Sequence, residues 1–242
     1  MQLYIGNKNY SSWSLRPWLV MTHTGIPFEE VALRFDDFAA DGAFRREIAR
    51  VNPAGKVPVL VVRQAHDARS PSTSSVDGDL SVWDTLAIAE YLNERFPDKQ
   101  LWPRDVKQRA LARSVCAEMH SGFQALRGAF PMNIEASLPE IGQRMLAENK
   151  DAKANLDRIV QLWTDALTRS GGPFLFGEFS IADGYFAPVV SRIKTHALPV
   201  PEQAAAYCQR IQALPAMQAW TAAALAEHDW VADDEPYRTK PA

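Results

Sequence analysis

Two adjacent hydroxyls, Ser11 and Ser12, stand between a short apolar run, Leu3–Ile5, and the first amphipathic segment of the chain. At such a junction side-chain hydroxyls and the free N–H groups of a helix start converge. They can cap the helix or hold an anion. Tyr10 and Ser14 bring two further hydroxyls close by. A second pair, Asp84-Thr85, opens another periodic segment. It reads either as an ordinary N-cap pair or as an anion site with a carboxylate beside it. Lys56-Val57-Pro58 precedes the apolar run Val59–Val62. Pro58 is then a simple strand-opening proline or a cis one. Farther along, His120, Gln124 and Arg127 share one helix face, and Met119, Phe123, Leu126 and Phe130 share another. The apolar stripe belongs in a core. The polar stripe is either solvated surface or the wall of a cleft that would greet an anionic substrate.

Several chemistries are excluded early. The chain has 242 residues, 47% hydrophobic and 23% charged, which is globular composition with room for one large domain or two small ones. The net charge of −3 offers no basic excess for nucleic acid or an anionic membrane. The two cysteines, Cys116 and Cys208, lie far apart and make neither a disulfide framework nor a CxxC pair. We expect both to be inert core thiols. The five histidines form no HExxH or HxH pattern, so no metal is expected. The N-terminus lacks a basic region followed by an apolar stretch, and no run reaches the ~20 apolar residues of a membrane span. The protein is therefore expected to be soluble and cytoplasmic, with no nucleic-acid or membrane partner.

The elements that must position these residues fall into two halves. Strands are expected at Leu3–Ile5, Val31–Phe35, Val59–Val62 and Leu80–Trp83. A helix starts near Trp13 or Ser14, because Pro17 belongs in a first turn, and ends at Gly25. A polar helix covers Asp41–Val51, and an apolar-periodic one follows Asp84-Thr85. Residues 63–79 read as a long loop. Pro97 and Pro103 bracket a linker, 98–103. Beyond it, helices are expected over about 104–130, 139–170, 180–195, 201–212 and 215–227. Ser180 and Asp183 have the spacing of a capping box, a structural role. The expected domains are thus 1–97, mixed α/β, and 104–230, all-α, with a C-terminal tail at 231–242.

The βαβ–α–ββα order, Asn52-Pro53-Ala54-Gly55-Lys56-Val57-Pro58-Val59-Leu60, Asp84-Thr85-Leu86-Ala87-Ile88-Ala89-Glu90-Tyr91-Leu92 and the helical second half together resemble the cytosolic glutathione transferase superfamily. The likeness runs over nearly the whole chain. Ser11-Ser12-Trp13-Ser14-Leu15-Arg16 resembles the serine-type start of the zeta class and its bacterial relatives. The resemblance implies a thioredoxin-like N-terminal domain that binds glutathione as co-substrate, and an all-α domain lining a pocket for a small electrophile. It implies a homodimer. Ser11 matches the zeta catalytic serine and Ser12 its neighbour, with Tyr10 a competing hydroxyl. Val57 before a cis Pro58 would align the cysteine through its backbone, and Lys56 could approach a ligand carboxylate. Asp84 and Thr85 would hold the γ-glutamyl end; the family usually carries Glu or Gln followed by Ser there. Trp13 stands where zeta proteins usually have a cysteine, which disfavours a protein-thiol mechanism. The implied function is a glutathione transferase. The alternatives are a glutathione-dependent cis-trans isomerase of a maleyl compound and a non-catalytic interaction module.

Overall fold

The computed structural model describes residues 1–35, 42–63 and 78–239. The elements are β1 (Gln2–Ile5), α1 (Ser12–Thr24), β2 (Glu29–Ala32), α2 (Ala43–Ala49), β3 (Val59–Val62), β4 (Leu80–Trp83) and α3 (Thr85–Arg95). The helical half holds α4 (Val106–Ser121), α5 (Gln124–Ala129), α6 (Pro139–Glu148), α7 (Lys150–Ser170), α8 (Ile181–Thr195), α9 (Glu202–Ala213) and α10 (Pro215–Glu227). Most of the predicted loop, 64–77, and Asp41 of the predicted second helix lie outside the described residues.

The four strands pair in the order β2-β1-β3-β4. β1 and β2 are parallel, so they need a crossover, and α1 supplies it. β3 runs antiparallel to both β1 and β4. Alternation along the strands feeds two cores. Leu3, Ile5 and Leu60 face the main core, while Val59 and Val61 face a smaller cluster with Leu33, Phe44 and Ile48. This is the thioredoxin-like half expected from the sequence, joined to an all-helical half.

Several boundaries differ from the sequence expectation. β2 covers Glu29–Ala32 rather than Val31–Phe35, because β1 ends at Ile5 and offers no ladder beyond it. The Phe35 N–H is taken instead by the Asn7 side chain at 2.6 Å. α1 begins at Ser12, one to two residues early, so Pro17 sits past the first turn. The predicted helix over 104–130 is two helices. Gly122 is extended and Phe123 adopts φ 58, which turns the chain and buries the Phe123 ring. The predicted helix over 139–170 breaks at Asn149, whose side chain caps α7 by accepting the Ala152 N–H at 2.9 Å.

The two halves meet chiefly where α1 lies on α8. Gly184 makes that approach possible: a Cβ there would stand 2.5 Å from Val20 Cγ2 and 3.3 Å from the Arg16 carbonyl. Val20 is β-branched and itself buried, so it has little room to yield. Gly184→Ala is expected to destabilise the protein by about 1–3 kcal/mol, read as a lower urea midpoint.

Helix α10 and the segment after it pack onto the loop between β1 and α1. The Glu227 carboxylate accepts the Lys8 N–H at 2.7 Å and the Asn9 N–H at 3.1 Å. Trp220 Nε1 donates to the Lys8 carbonyl at 3.0 Å. The buried Glu235 carboxylate accepts from Tyr10 at 2.8 Å and from Asn133 at 2.7 Å, and pairs with Arg238. These contacts clamp the loop that delivers Tyr10, Ser11 and Ser12.

Candidate active site

Ser11 is the N-cap of α1, and its carbonyl accepts the Leu15 N–H at 3.1 Å. Its hydroxyl donates to that of Ser14 at 2.7 Å, and the fully buried Ser14 hydroxyl also accepts the Gly6 N–H at 3.1 Å. The Ser12 side chain forms no hydrogen bond among the described residues, and its carbonyl accepts from Arg16 Nη1 at 3.3 Å. Both serines line a cavity of about 320 Å³ with Tyr10, Arg127 and Arg192.

Tyr10 is a poor competitor for proton chemistry. Burial and the adjoining Glu235 carboxylate push its phenol up to about 12. Its hydroxyl donates to Glu235.

The Val57–Pro58 peptide bond is cis. The loop before it is braced by Asn52, whose side chain donates to the Lys56 carbonyl at 2.7 Å and accepts the Ala54 N–H at 2.9 Å. Gly55 takes φ +65 in that turn. Lys56, Val57 and Pro58 line a second cavity of about 300 Å³, together with Asp84, Thr85 and His120. Trp13, Val57 and Arg127 belong to both cavities, so the two are adjoining chambers. A larger hollow of about 410 Å³ between α8 and α10 holds none of the residues singled out by their chemistry.

Asp84 caps α3 with its carboxylate on the Leu86 N–H at 2.8 Å and holds φ 75, a left-handed conformation that costs a non-glycine residue about 1–3 kcal/mol. Thr85 is buried, with its hydroxyl 2.5 Å from that of Tyr185 on α8. His120 bridges the same groups. Its Nε2 stands 3.2 Å from the Asp84 carboxylate and its Nδ1 3.3 Å from the Tyr185 hydroxyl. Burial pushes the Tyr185 phenol well above its ordinary range.

The polar stripe therefore faces the cleft. His120, Gln124 and Arg127 line the second cavity even though the helix breaks between them. Arg127 lies over the Trp13 ring at 5.4 Å, Arg16 lies over the same ring at 4.1 Å, and the His120 ring meets it edge-on at 5.2 Å. Of the apolar stripe, Met119, Phe123, Leu126 and Phe130 are all buried, as expected. Cys116 and Cys208 are buried free thiols pushed up by desolvation, so neither is a nucleophile at neutral pH. Among the described residues no cluster could hold a metal ion, and no helix is long and apolar enough to cross a membrane.

Residues 10–95 match the family model for the glutathione S-transferase N-terminal domain. That segment is the mixed α/β half of the chain, which thus carries a glutathione S-transferase N-terminal domain. It is 28% identical over 226 residues to glutathione S-transferase Z1 of Arabidopsis thaliana, covering 87% of this chain and 89% of that protein. It is 28% identical over 207 residues to maleylacetoacetate isomerase of Rattus norvegicus, covering 82% of each. A solved glutathione transferase homologue from Burkholderia GL BGR1, with bound glutathione, superposes at a TM-score of 0.62 with 22% identity, covering 93% of this chain and 98% of that one.

The sequence alone did not reveal the partners that come from the helical half. Tyr185 and Arg192 read as interior positions of α8. The strap residues Asp234 and Glu235 read as a tail. Asp234 lines the serine cavity, where burial and its acidic neighbours push it up to about 6. No local spacing links these residues to Ser11 or Thr85. A buried arginine, tyrosine or glutamate is visible as unusual only once burial is known.

Proposed function

We propose that the chain is a glutathione transferase in which a serine at the start of α1 stabilises the glutathione thiolate for attack on a small electrophile. The observation that carries this reading is the pair of adjoining chambers joined at Val57. The γ-glutamyl end would lie at Asp84 and Thr85, with its carboxylate on the Thr85 hydroxyl and the α3 N-terminus and its ammonium on Asp84. The cysteine backbone would pair with Val57 as an added strand does. The sulfur would then point past Trp13 into the chamber of Ser11 and Ser12. The electrophile would approach from the side of Met132, Arg127 and Arg192. Lys56 is available to a ligand carboxylate from the loop edge.

A free thiol has a pKa of ~8.5, and each unit of depression needs about 1.4 kcal/mol of preferential thiolate stabilisation. A hydrogen bond to a charged group contributes roughly 1.5–3 kcal/mol. One serine hydroxyl turned toward the sulfur would therefore suffice to bring the thiol to neutral pH. Trp13 leaves no protein thiol beside it, which argues against a mixed-disulfide route.

A second reading, glutathione-dependent cis-trans isomerisation of a maleyl compound, is favoured by the relation to a maleylacetoacetate isomerase. Product analysis with a maleyl substrate separates the two. The same family reading carries the expectations of a homodimer and of a cytoplasmic location.

Calorimetric titration with glutathione tests the reading. Saturable binding is expected, with Thr85→Ala weakening it roughly tenfold or more through loss of a hydrogen bond to a charged group. No binding at millimolar glutathione would overturn both enzymatic readings and leave a non-catalytic interaction module.

A further inference from the structure

Three side chains, Thr85, Tyr185 and His120, form an unbranched hydroxyl–hydroxyl–imidazole chain that ends on Asp84. Each of its links can run in only one of two directions, because each hydroxyl has a single proton. The Asp84 end sets the direction. Its carboxylate accepts only, so His120 presents Nε2–H to it. With neutral imidazole, Nδ1 is then an acceptor. Tyr185 must donate to Nδ1, and Thr85 must donate to Tyr185. The Thr85 proton is consumed, and its oxygen faces the cavity as an acceptor. At the Thr85 hydroxyl a ligand carboxylate then meets an acceptor, and only backbone N–H groups of the α3 N-terminus can donate to it.

Protonated imidazole reverses every link. Nδ1–H donates to the Tyr185 oxygen, Tyr185 donates to Thr85, and the Thr85 proton is released toward the ligand. We propose that His120 is a positioning residue whose protonation turns the Thr85 hydroxyl into a donor for the ligand carboxylate, so that glutathione binding takes up a proton at His120 Nδ1. The proton comes from solvent, and no covalent bond is made or broken. This inference rests on glutathione being the ligand of this cavity.

The surroundings can carry the added charge. Asp84 faces His120 from the start of α3 and is the carboxylate in contact with it. Lys56 from the loop before β3 and Arg127 from α5 line the same cavity and oppose protonation. Arg16 of α1 lies over Trp13 and Tyr185 and opposes it from below. Tyr185 of α8 is the titratable neighbour on the other side, and its buried phenol stays protonated. Cys116, one turn earlier on α4, is a buried neutral thiol. An incoming ligand carboxylate adds the negative charge that favours uptake.

S-methylglutathione is the probe, because it has no thiol proton to lose. Its binding should be measured calorimetrically between pH 6 and 8 in buffers of different ionisation enthalpy. We expect net proton uptake that rises with pH toward one per site, and affinity that falls by up to tenfold per pH unit, the limit for one linked proton. His120→Gln and Tyr185→Phe, checked for an unchanged melting transition, should each bind with no uptake and with affinity independent of pH. A merely structural role for His120 would shift affinity equally at every pH. Binding by the wild type without uptake, or uptake that persists in both variants, would overturn the relay and leave the glutathione reading intact. No binding at any pH would overturn that reading and the relay with it.

Discussion

Ser11→Ala is expected to lower the rate of glutathione conjugation roughly 10–100-fold at neutral pH while leaving glutathione affinity within a few-fold. The factor is the loss of one hydrogen bond to a charged acceptor, about 1.5–3 kcal/mol. The same loss raises the pKa of the bound thiol by about one to two units, at about 1.4 kcal/mol per unit. The sign follows from the chemistry. The thiolate is the species that Ser11 would stabilise, so removing Ser11 moves the rising limb of the pH–rate profile to higher pH. Rate is recovered as the buffer is made more alkaline. Affinity would be spared because the proposed γ-glutamyl and cysteine backbone contacts lie in the other chamber. Pre-steady-state rates and the ultraviolet absorbance of the bound thiolate, followed against pH, check it. If Ser12→Ala shows the shifted profile and Ser11→Ala does not, the assignment is off by one residue. If neither shifts it, a backbone N–H does the work.

Asp183→Ala should cost about 3–5 kcal/mol of stability and leave glutathione affinity in the folded fraction unchanged. Asp183 is fully buried, yet its carboxylate gathers four donors. They are the Leu175 N–H at 3.1 Å, the Ser180 N–H at 2.9 Å, the Ser180 hydroxyl at 3.1 Å and the Tyr207 hydroxyl at 3.1 Å. Truncation strands all four, and buried unmet donors cost about 1–3 kcal/mol each before relaxation. For a chain of this length, 1 kcal/mol corresponds to roughly 2–4 °C in Tm, so a fall of about 6–20 °C is expected by calorimetry. A large affinity loss at unchanged Tm would contradict the structural assignment. Burial pushes this carboxyl up to about 6, against an ordinary value of 3.8. The folded state therefore binds the proton more readily than the unfolded chain does. Asp183 contributes most stability below about pH 4, and its contribution declines as pH rises through 6. Asp183→Ala should remove that declining component from the stability–pH curve.

Local signals were legible because short-range sterics and patterning dictate them. Val59–Val62, the Gly25 stop of α1, the Ser180–Asp183 box and the helix from Pro215 could each be read within a few residues of chain. Boundaries failed where a distant partner took over. β2 ends early because β1 has no more ladder to offer, and the 104–130 helix breaks because Phe123 gains more from burial than it loses at φ 58. Neither competition is written in the local sequence.

The site divides in the same way. Sequence alone determined which residues could do the chemistry: hydroxyls at a helix start, a proline before a buried strand, and an acid–hydroxyl pair at a second helix start. These depend on backbone N–H groups and side chains only one or two positions apart. Tertiary structure decided what those groups face. It made Val57 and Trp13 common to two chambers, set the Ser11 hydroxyl on Ser14, and brought His120 and Tyr185 from the helical half onto Asp84 and Thr85. A hydroxyl's direction is set by all its partners at once. Here those partners come from segments about 100 residues apart, as in the Thr85–Tyr185 link.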